Sequence, residues 1–426
     1  MNIKRALEQG QGDVKIKGWI YRERKSNKFI FLVVRDTDNI VQCVIKKDQV
    51  NEILWEQANK ILIETSVEIE GEIKKDERAP TGYEITVNSL NIVGEAENFP
   101  ITKDQSPEFL LDNRHLWVRS RRLNAIFKIR HTIFQAVREY FNQNQFHETH
   151  SPCLTPNACE GGATLFEVKY FNDKVYLTQT WQLYAEALIY SLEKIYTIAP
   201  AFRAEKSKTS RHLAEFWMAE MEMAWGDLNM ILDYAEGLIE FVIKKVLENN
   251  QEELKVLERD TSKLEKIKKP FKRITYKEAL EILKKDGLEV EEGKDLRTIE
   301  EDKLMEHFDK PVIITNYPKE IMAFYKPEDP NNPGTALCFD MLAPDGYGEI
   351  IGGSQREENI KQIKKYLEKE GEDIINYGWY LDLRKYGNVP HAGFGMGMER
   401  IIAWVCGLDN IKETIPFPRT MLRKSP

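Results

Sequence analysis

Phe202-Arg203-Ala204-Glu205, followed by Arg211-His212 and Glu215-Phe216, is one half of the pattern that decides the fold. The other half is Gly393-Phe394-Gly395-Met396-Gly397-Met398-Glu399-Arg400, about 190 residues downstream. Each half sets arginine beside acids, and the second does so behind alternating glycines. A guanidinium is planar and always charged. It makes paired hydrogen bonds to phosphate or carboxylate oxygens that an ammonium cannot copy. Glycine lets backbone approach a ligand closely. An Arg-x-Glu alone carries no information, and Gly-x-Gly-x-Gly-x-Glu-Arg alone carries a moderate amount. Both in this order are a strong signal for one site assembled from distant segments.

The chain has 426 residues, so two or three domains are expected. Hydrophobic residues at 42% and aromatics at 10% suffice for real cores. No apolar run reaches the length of a membrane span. Met1-Asn2-Ile3-Lys4-Arg5 has no apolar signal core, so a cytoplasmic protein with no membrane partner is expected. The five cysteines (Cys43, Cys153, Cys159, Cys338 and Cys406) are scattered and odd in number, which predicts reduced thiols. Cys153 and Cys159 lack the nearby Cys or His pair of a zinc site. The net charge of −8 excludes a general polyanion binder and makes any nucleic-acid contact local. Between Lys15 and Arg35 stand seven basic residues and one acid, Glu23, which is either a solvated strand face or such a contact.

Residues 1–98 read as a β domain. Strand-like runs cover Val14–Tyr21, Phe29–Arg35, Ile40–Ile45, Thr65–Ile73 and Tyr83–Val93, with a turn at Asp36-Thr37-Asp38-Asn39 and a helix over about 50–61. Five short strands with one helix after the third predict an OB-fold barrel. Residues 99–121, with Pro100 and Pro107, read as a hinge. The rest, 122–426, reads as a second domain. Ile126, Ile129, Ile133 and Val137 make one stripe of a helix over Leu123–Asn144, which leads to a strand-like segment ending at Pro152. Strands are expected at Val175–Thr180, Lys194–Phe202, Glu215–Ala224, Val312–Tyr317, Ile321–Lys326 and Leu337–Leu342, and helices at Asp227–Asn250, Glu357–Lys369 and Gly397–Cys406. The Lys/Glu-rich stretch 250–310 reads as an inserted helical subdomain. The fold class is α+β: a five-stranded OB barrel, then a mostly antiparallel sheet flanked by helices.

The two arginine motifs, the helix–strand–proline segment, Glu160-Gly161-Gly162-Ala163-Thr164-Leu165-Phe166, Gln182-Leu183-Tyr184-Ala185-Glu186 and Gly348 to Glu357 together resemble class II aminoacyl-tRNA synthetases. The order OB domain, hinge, core is similar to subclass IIb, and within it to the archaeal-type asparaginyl branch. The resemblance implies that L-asparagine is activated with ATP and transferred to the 3′ end of tRNA(Asn) by a homodimeric enzyme using Mg²⁺. It implies that Arg203 contacts the α-phosphate and the amino-acid carboxylate, with Arg400 as its catalytic companion. Glu205 would accept from the adenine amine, Phe216 would stack on adenine opposite Arg400, and Arg211 and His212 would hold the outer phosphates. Leu213, Glu349 and Gly397 complete the implied nucleotide site. Asp340 and Glu349 match the magnesium acids. Gly352 stands where aspartyl relatives often carry a hydroxyl.

For the amino acid, the resemblance assigns Glu160 and Gln182 to the ammonium, Arg203 to the carboxylate and Arg356 to the side-chain oxygen. Ala185 occupies the position of the lysine that neutralises aspartate in aspartyl enzymes. Glu186, next to it, is expected to accept from the asparagine amide and repel aspartate. Trp181 departs from the family's usual small residue and is read as filling the space Ala185 vacates. In the barrel, Arg24, Phe31 and Gln42 match residues that read the central anticodon uridine, Phe31 by stacking and Gln42 by hydrogen bonding. Without the resemblance Phe31 reads as core. The competing readings are an aspartate–tRNA ligase, strict or relaxed, a paralogue making free asparagine, and an RNA-binding regulator on an inactive core.

Overall fold

The computed structural model describes residues 1–160, 164–206 and 211–426. It divides into two compact units, Met1–Leu110 and Leu111–Pro426. In the first, β1 (Gly12–Lys25), β2 (Phe29–Arg35), β3 (Ile40–Lys46), β4 (Ser66–Lys75) and β5 (Tyr83–Gly94) close a barrel in the order β1-β2-β3-β5-β4. Alternation along β2 sends Ile30, Leu32 and Val34 into the barrel core and leaves Phe29 and Phe31 on the outer face. The turn before β3 forms because Asp36 Oδ1 accepts from the N–H groups of Asp38 and Asn39, each at 2.8 Å. The helix Glu52–Lys60 is capped by Asn51, whose side chain accepts from the Leu54 N–H. A further helix, Ile3–Gln9, was not anticipated. Asn2 caps its start, and Gly10, at φ +70°, ends it.

In the second unit the strands are β6 (His147–Glu148), β7 (Leu154–Thr155), β8 (Glu167–Tyr170), β9 (Asp173–Leu177), β10 (Lys194–Phe202), β11 (Glu215–Ala224), β12 (Lys272–Thr275), β13 (Val312–Thr315), β14 (Cys338–Ala343), β15 (Gly348–Gln355) and β16 (His391–Gly397). Among the described residues, eight of them form one sheet in the order β12-β13-β14-β15-β16-β11-β10-β6, and β7, β9 and β8 form a small second sheet. The large sheet is antiparallel except at its ends, where β12 pairs with β13 and β10 with β6 in parallel. The helix Arg121–Gln143 buries its stripe of Ile126, Ile129, Ile133 and Val137 completely. It shares one core with the helix Leu228–Asn249 and the sheet residues Met221 and Phe394.

Three features differ from the sequence reading. Ile321–Lys326 is not a strand. A single 3₁₀ turn covers Lys319–Ile321, and Phe324 and Tyr325 pack with Tyr377 and Tyr380 instead of pairing in the sheet. The 250–310 stretch contains the helices Gln251–Val256, Tyr276–Lys285 and Thr298–Met305, but it also supplies β12 to the sheet edge. The 99–121 stretch straddles the division between the units. Within the second unit Arg114 is fully buried and donates to the carbonyls of Pro416 and Ile415, both at 2.8 Å.

Candidate active site

The site forms on β10, β11, β14, β15 and β16. Arg203 directly follows β10, and its N–H donates to the Ala214 carbonyl at 3.0 Å, which closes the loop back onto β11. Its guanidinium lies 5.6 Å from the centre of the Phe216 ring. Its Nε is buried and has no hydrogen-bond partner among the described residues. Desolvation works against the charge on Arg203, but Glu160, Glu349 and Glu205 outweigh it and raise its pKa. Leu213 is buried with Ile411 and Ile415, and Phe216 packs against this cluster, so Leu213 braces the aromatic from its side chain.

Glu205 approaches the His212 Nε2 at 3.5 Å. Desolvation, with Arg400, Arg211 and Arg203, holds the His212 pKa below its usual value despite Glu205. Arg211 Nη2 donates to both carboxylate oxygens of Asp302 at 2.8 Å, a partner supplied by the Lys/Glu-rich stretch. Arg400, in the first turn of the helix Met398–Cys406, donates to the Glu349 carbonyl. A cavity of about 210 Å³ is lined by Arg211, Tyr347, Arg400 and Asp409 among others. Gly397 ends β16 opposite Met218, and a Cβ there would meet nothing closer than 3.9 Å.

Asp340 on β14 faces Gly352 on β15. A Cβ at Gly352 would sit 2.5 Å from Glu349 Oε1 and 3.3 Å from Asp340 Oδ1, so the glycine keeps open a cradle over which two carboxylates converge. Desolvation pushes the Asp340 pKa well up, and Glu349 pushes it further. Two hard oxygen donors converging on one open cradle suit a divalent cation. Magnesium therefore fits Asp340 and Glu349.

Among the residues expected to take the amino acid, Glu160 accepts from the Tyr325 hydroxyl at 2.8 Å. Desolvation raises its pKa, but Arg203, Lys326, Tyr325 and Arg356 together leave it lowered. Arg356 is buried, and its Nε and Nη2 meet Glu222 at 2.9 and 2.7 Å while Nη1 donates to Ser354 Oγ at 2.8 Å. Gly393 makes room for this pair. A Cβ there would lie 2.1 Å from Glu222 Oε2 and 2.8 Å from Arg356 Nη2. Burial raises the Glu222 pKa against the pull of Arg356.

Glu186, expected to accept from a substrate amide, is fully buried, already accepts from three protein donors and faces His391 Nε2 as well. Gln182 Nε2 donates to Oε1 at 3.0 Å, and Tyr380, Arg384 and His391 crowd Oε2. The carboxylate beside Arg356 is Glu222 instead. Trp181 and Ala185 are both buried in one cluster with Ile189, Ile195 and Val389. Tyr325, Lys326 and Glu222 escaped the sequence reading. For Glu222 a signal existed, because Glu220 and Glu222 are acids on one face of a Met-rich strand. The Gly161-Gly162-Ala163 part of the pattern lies outside the described residues.

On the barrel, Arg24, Phe31 and Gln42 line one cavity of about 410 Å³, together with Arg22, Glu23, Val33, Asp76, Arg78 and Glu84. Strand register brings them together. Arg24 stands opposite Phe31 across β1 and β2, and Val33 opposite Gln42 across β2 and β3. Gln42 Nε2 donates to Glu84 at 3.3 Å, which directs its amide oxygen elsewhere. Phe31 is half-buried on this face and is not part of the barrel core.

Comparison with known proteins gives consistent results. The family of class II tRNA synthetases (D, K and N) matches residues 106–421, and the OB-fold nucleic acid binding domain matches residues 14–93. An asparagine–tRNA ligase of Thermoplasma acidophilum is 48% identical over 413 residues, covering 97% of this chain and 96% of its own. The asparaginyl-tRNA synthetase of Pyrococcus horikoshii, solved with asparaginyl-adenylate, superposes with a TM-score of 0.97 at 46% identity, covering 100% of this chain and 99% of its own. An aspartyl-tRNA synthetase from Entamoeba histolytica superposes at 0.84 with 27% identity, covering 98% and 90%.

Proposed function

The chain belongs to the class II tRNA synthetases (D, K and N), and from that premise we propose that it is an asparagine–tRNA ligase. A carboxylate oxygen of asparagine attacks the α-phosphorus of ATP, pyrophosphate leaves, and asparaginyl-adenylate forms. A ribose hydroxyl at the 3′ end of tRNA(Asn) then attacks the asparaginyl carbonyl and AMP leaves. Arg203, whose Nε has no hydrogen-bond partner among the described residues, takes the carboxylate and α-phosphate and stabilises charge as it builds. Arg211 and His212 serve the outer phosphates, Glu205, Phe216 and Arg400 the adenine, and Glu160 and Gln182 the ammonium. Asp340 and Glu349 would hold Mg²⁺, which when bound would neutralise phosphate charge.

The observation that carries the choice of amino acid is the buried Arg356–Glu222 pair. The pair offers one donor group and one acceptor group side by side. An amide satisfies both, whereas the carboxylate of aspartate meets Glu222 with like charge. The Arg24–Phe31–Gln42 cavity supports anticodon reading, its guanidinium and aromatic face matching a nucleotide's phosphate and base. A homodimer is supported by the two-residue strand β6, exposed at the sheet's end. A cytoplasmic location is supported by the odd set of free cysteines, four of them buried. No helix of the described residues is long and apolar enough to cross a membrane. The deciding experiment is ATP–pyrophosphate exchange with each amino acid, with and without tRNA. Exchange with asparagine far above aspartate is expected, and the reverse order overturns the reading. Sedimentation velocity at twice the monomer mass is expected for the dimer.

A further inference from the structure

The structure assigns Glu186 a positioning role: its carboxylate fixes the amide of Gln182 so that the amide oxygen faces the substrate ammonium. This rests on the proposed reading of Gln182 as an ammonium contact. An amide has one donor end and one acceptor end, and only the acceptor end can serve an ammonium. In an isotropic pocket the side chain would sample both orientations. Here they are unequal. Gln182 Nε2 donates to Glu186 Oε1 at 3.0 Å, one helical turn along the helix Gln182–Leu192, and both side chains are buried. A carboxylate is acceptor-only, so the flipped amide would set oxygen against oxygen.

Glu186 can impose this because it is itself immobilised. Its Oε2 accepts from Tyr380 at 2.8 Å and from Arg384, and faces His391 Nε2 at 3.0 Å. Arg384 is in turn held by its Nε on the Glu357 carbonyl at 3.1 Å, and its guanidinium lies 4.2 Å from the centre of the Tyr380 ring. The His391 Nδ1 meets the Val389 carbonyl at 2.8 Å. Two segments, Tyr380 to Arg384 and the start of β16 at His391, therefore hold one oxygen of this carboxylate, and Gln182 meets the other. On this assignment Glu186 never touches asparagine, and it cannot tell asparagine from aspartate, because both carry the same ammonium.

The test compares asparagine with succinamate, which is asparagine without its amino group, as an inhibitor of pyrophosphate exchange by the full-length enzyme. Glu186→Gln removes the acceptor-only constraint. The KM for asparagine is expected to rise roughly tenfold or more, with a smaller change in kcat. The Ki of succinamate and the asparagine-to-aspartate ratio of kcat/KM are expected to hold. A parallel loss of asparagine and succinamate binding, no loss of either, or a shifted amino-acid ratio overturns the assignment. If Glu186→Gln does not fold, Tyr380→Phe keeps the carboxylate and Arg384 but loosens their geometry. It should then give the same split at smaller size, and the absence of a split overturns the assignment. Gln182→Met reports on the premise separately: asparagine should weaken relative to succinamate, and if it does not, the ammonium role of Gln182 fails whatever Glu186 does.

Discussion

A guanidinium at a site of developing charge acts through its plane. Arg203 sits over Phe216, carries a buried Nε with no partner among the described residues, and is kept charged by Glu160, Glu349 and Glu205. Arg203→Lys retains one charge and loses the fork, and a flexible ammonium cannot hold a carboxylate and a phosphate together. We expect pyrophosphate exchange to be abolished while the circular dichroism spectrum and melting temperature stay near those of the wild type. Near-normal exchange in this variant would remove Arg203 from the chemistry. On the proposed reading, amino-acid choice rests on Glu222 beside Arg356. Glu222→Gln replaces the acceptor beside Arg356 by a group that also donates, and it ends the repulsion of aspartate. A mispaired polar group in a buried pocket costs about 1–3 kcal/mol, so the asparagine-to-aspartate ratio of kcat/KM should fall by roughly ten- to a hundredfold. A ratio that does not move would return the choice of substrate to another side chain.

At the scale of elements, β11 places Glu220 and Glu222 on one face two residues apart, and each meets a different fate. Glu220 accepts from Thr180 and from the Trp181 N–H, and burial pushes its pKa from 4.5 up to about 7. The folded chain therefore binds more protons than the unfolded chain between those two values, and this acid costs stability as pH rises through that window. Urea unfolding from pH 4.5 to 7 should show that fall, and Glu220→Gln should flatten it. An unchanged slope would mean that Glu220 titrates normally. Between β14 and β15, Gly352→Ala would press a methyl against Glu349 Oε1. The Mg²⁺ concentration needed for half-maximal exchange should rise roughly tenfold, and an unchanged requirement would place the cation elsewhere.

Elements were readable from the chain where a period had room to repeat. The bounds of β2 and β10 follow directly from their β-branched and aromatic runs, and the helix Arg121–Gln143 follows from its isoleucine stripe. Ile321–Lys326 misled because Phe324 and Tyr325 are apolar for the sake of a pocket wall, and β12 hid in a charged stretch because only Ile274 of its four residues is buried. Most implied site residues do gather on the sheet. What could not be read was the partner of each. Glu186 is one helical turn from Gln182, but the arginine that pairs with it lies 198 residues away, and no local pattern announces that contact.

The whole molecule separates two kinds of recognition. The cavity holding Arg24, Phe31 and Gln42 belongs entirely to the barrel unit, and Arg203, Arg356 and the Asp340–Glu349 cradle belong entirely to the other. The two units have separate cores, so damage to the barrel face need not reach the adenylation chemistry. Phe31 is on the outer face of β2 and contributes nothing to the barrel core, which makes it the cleanest probe. Phe31→Ala should leave pyrophosphate exchange with asparagine unchanged, because that reaction needs no anticodon. It should raise the KM for tRNA in charging through the loss of about 1–3 kcal/mol of base stacking, a factor of roughly five to a hundred and fifty. Removing residues 1–98 should act in the same direction and more severely. If exchange and charging fall together in Phe31→Ala while the barrel stays folded, the division of labour is wrong and the cavity serves the chemistry. If neither changes, the Arg24–Phe31–Gln42 face does not read tRNA.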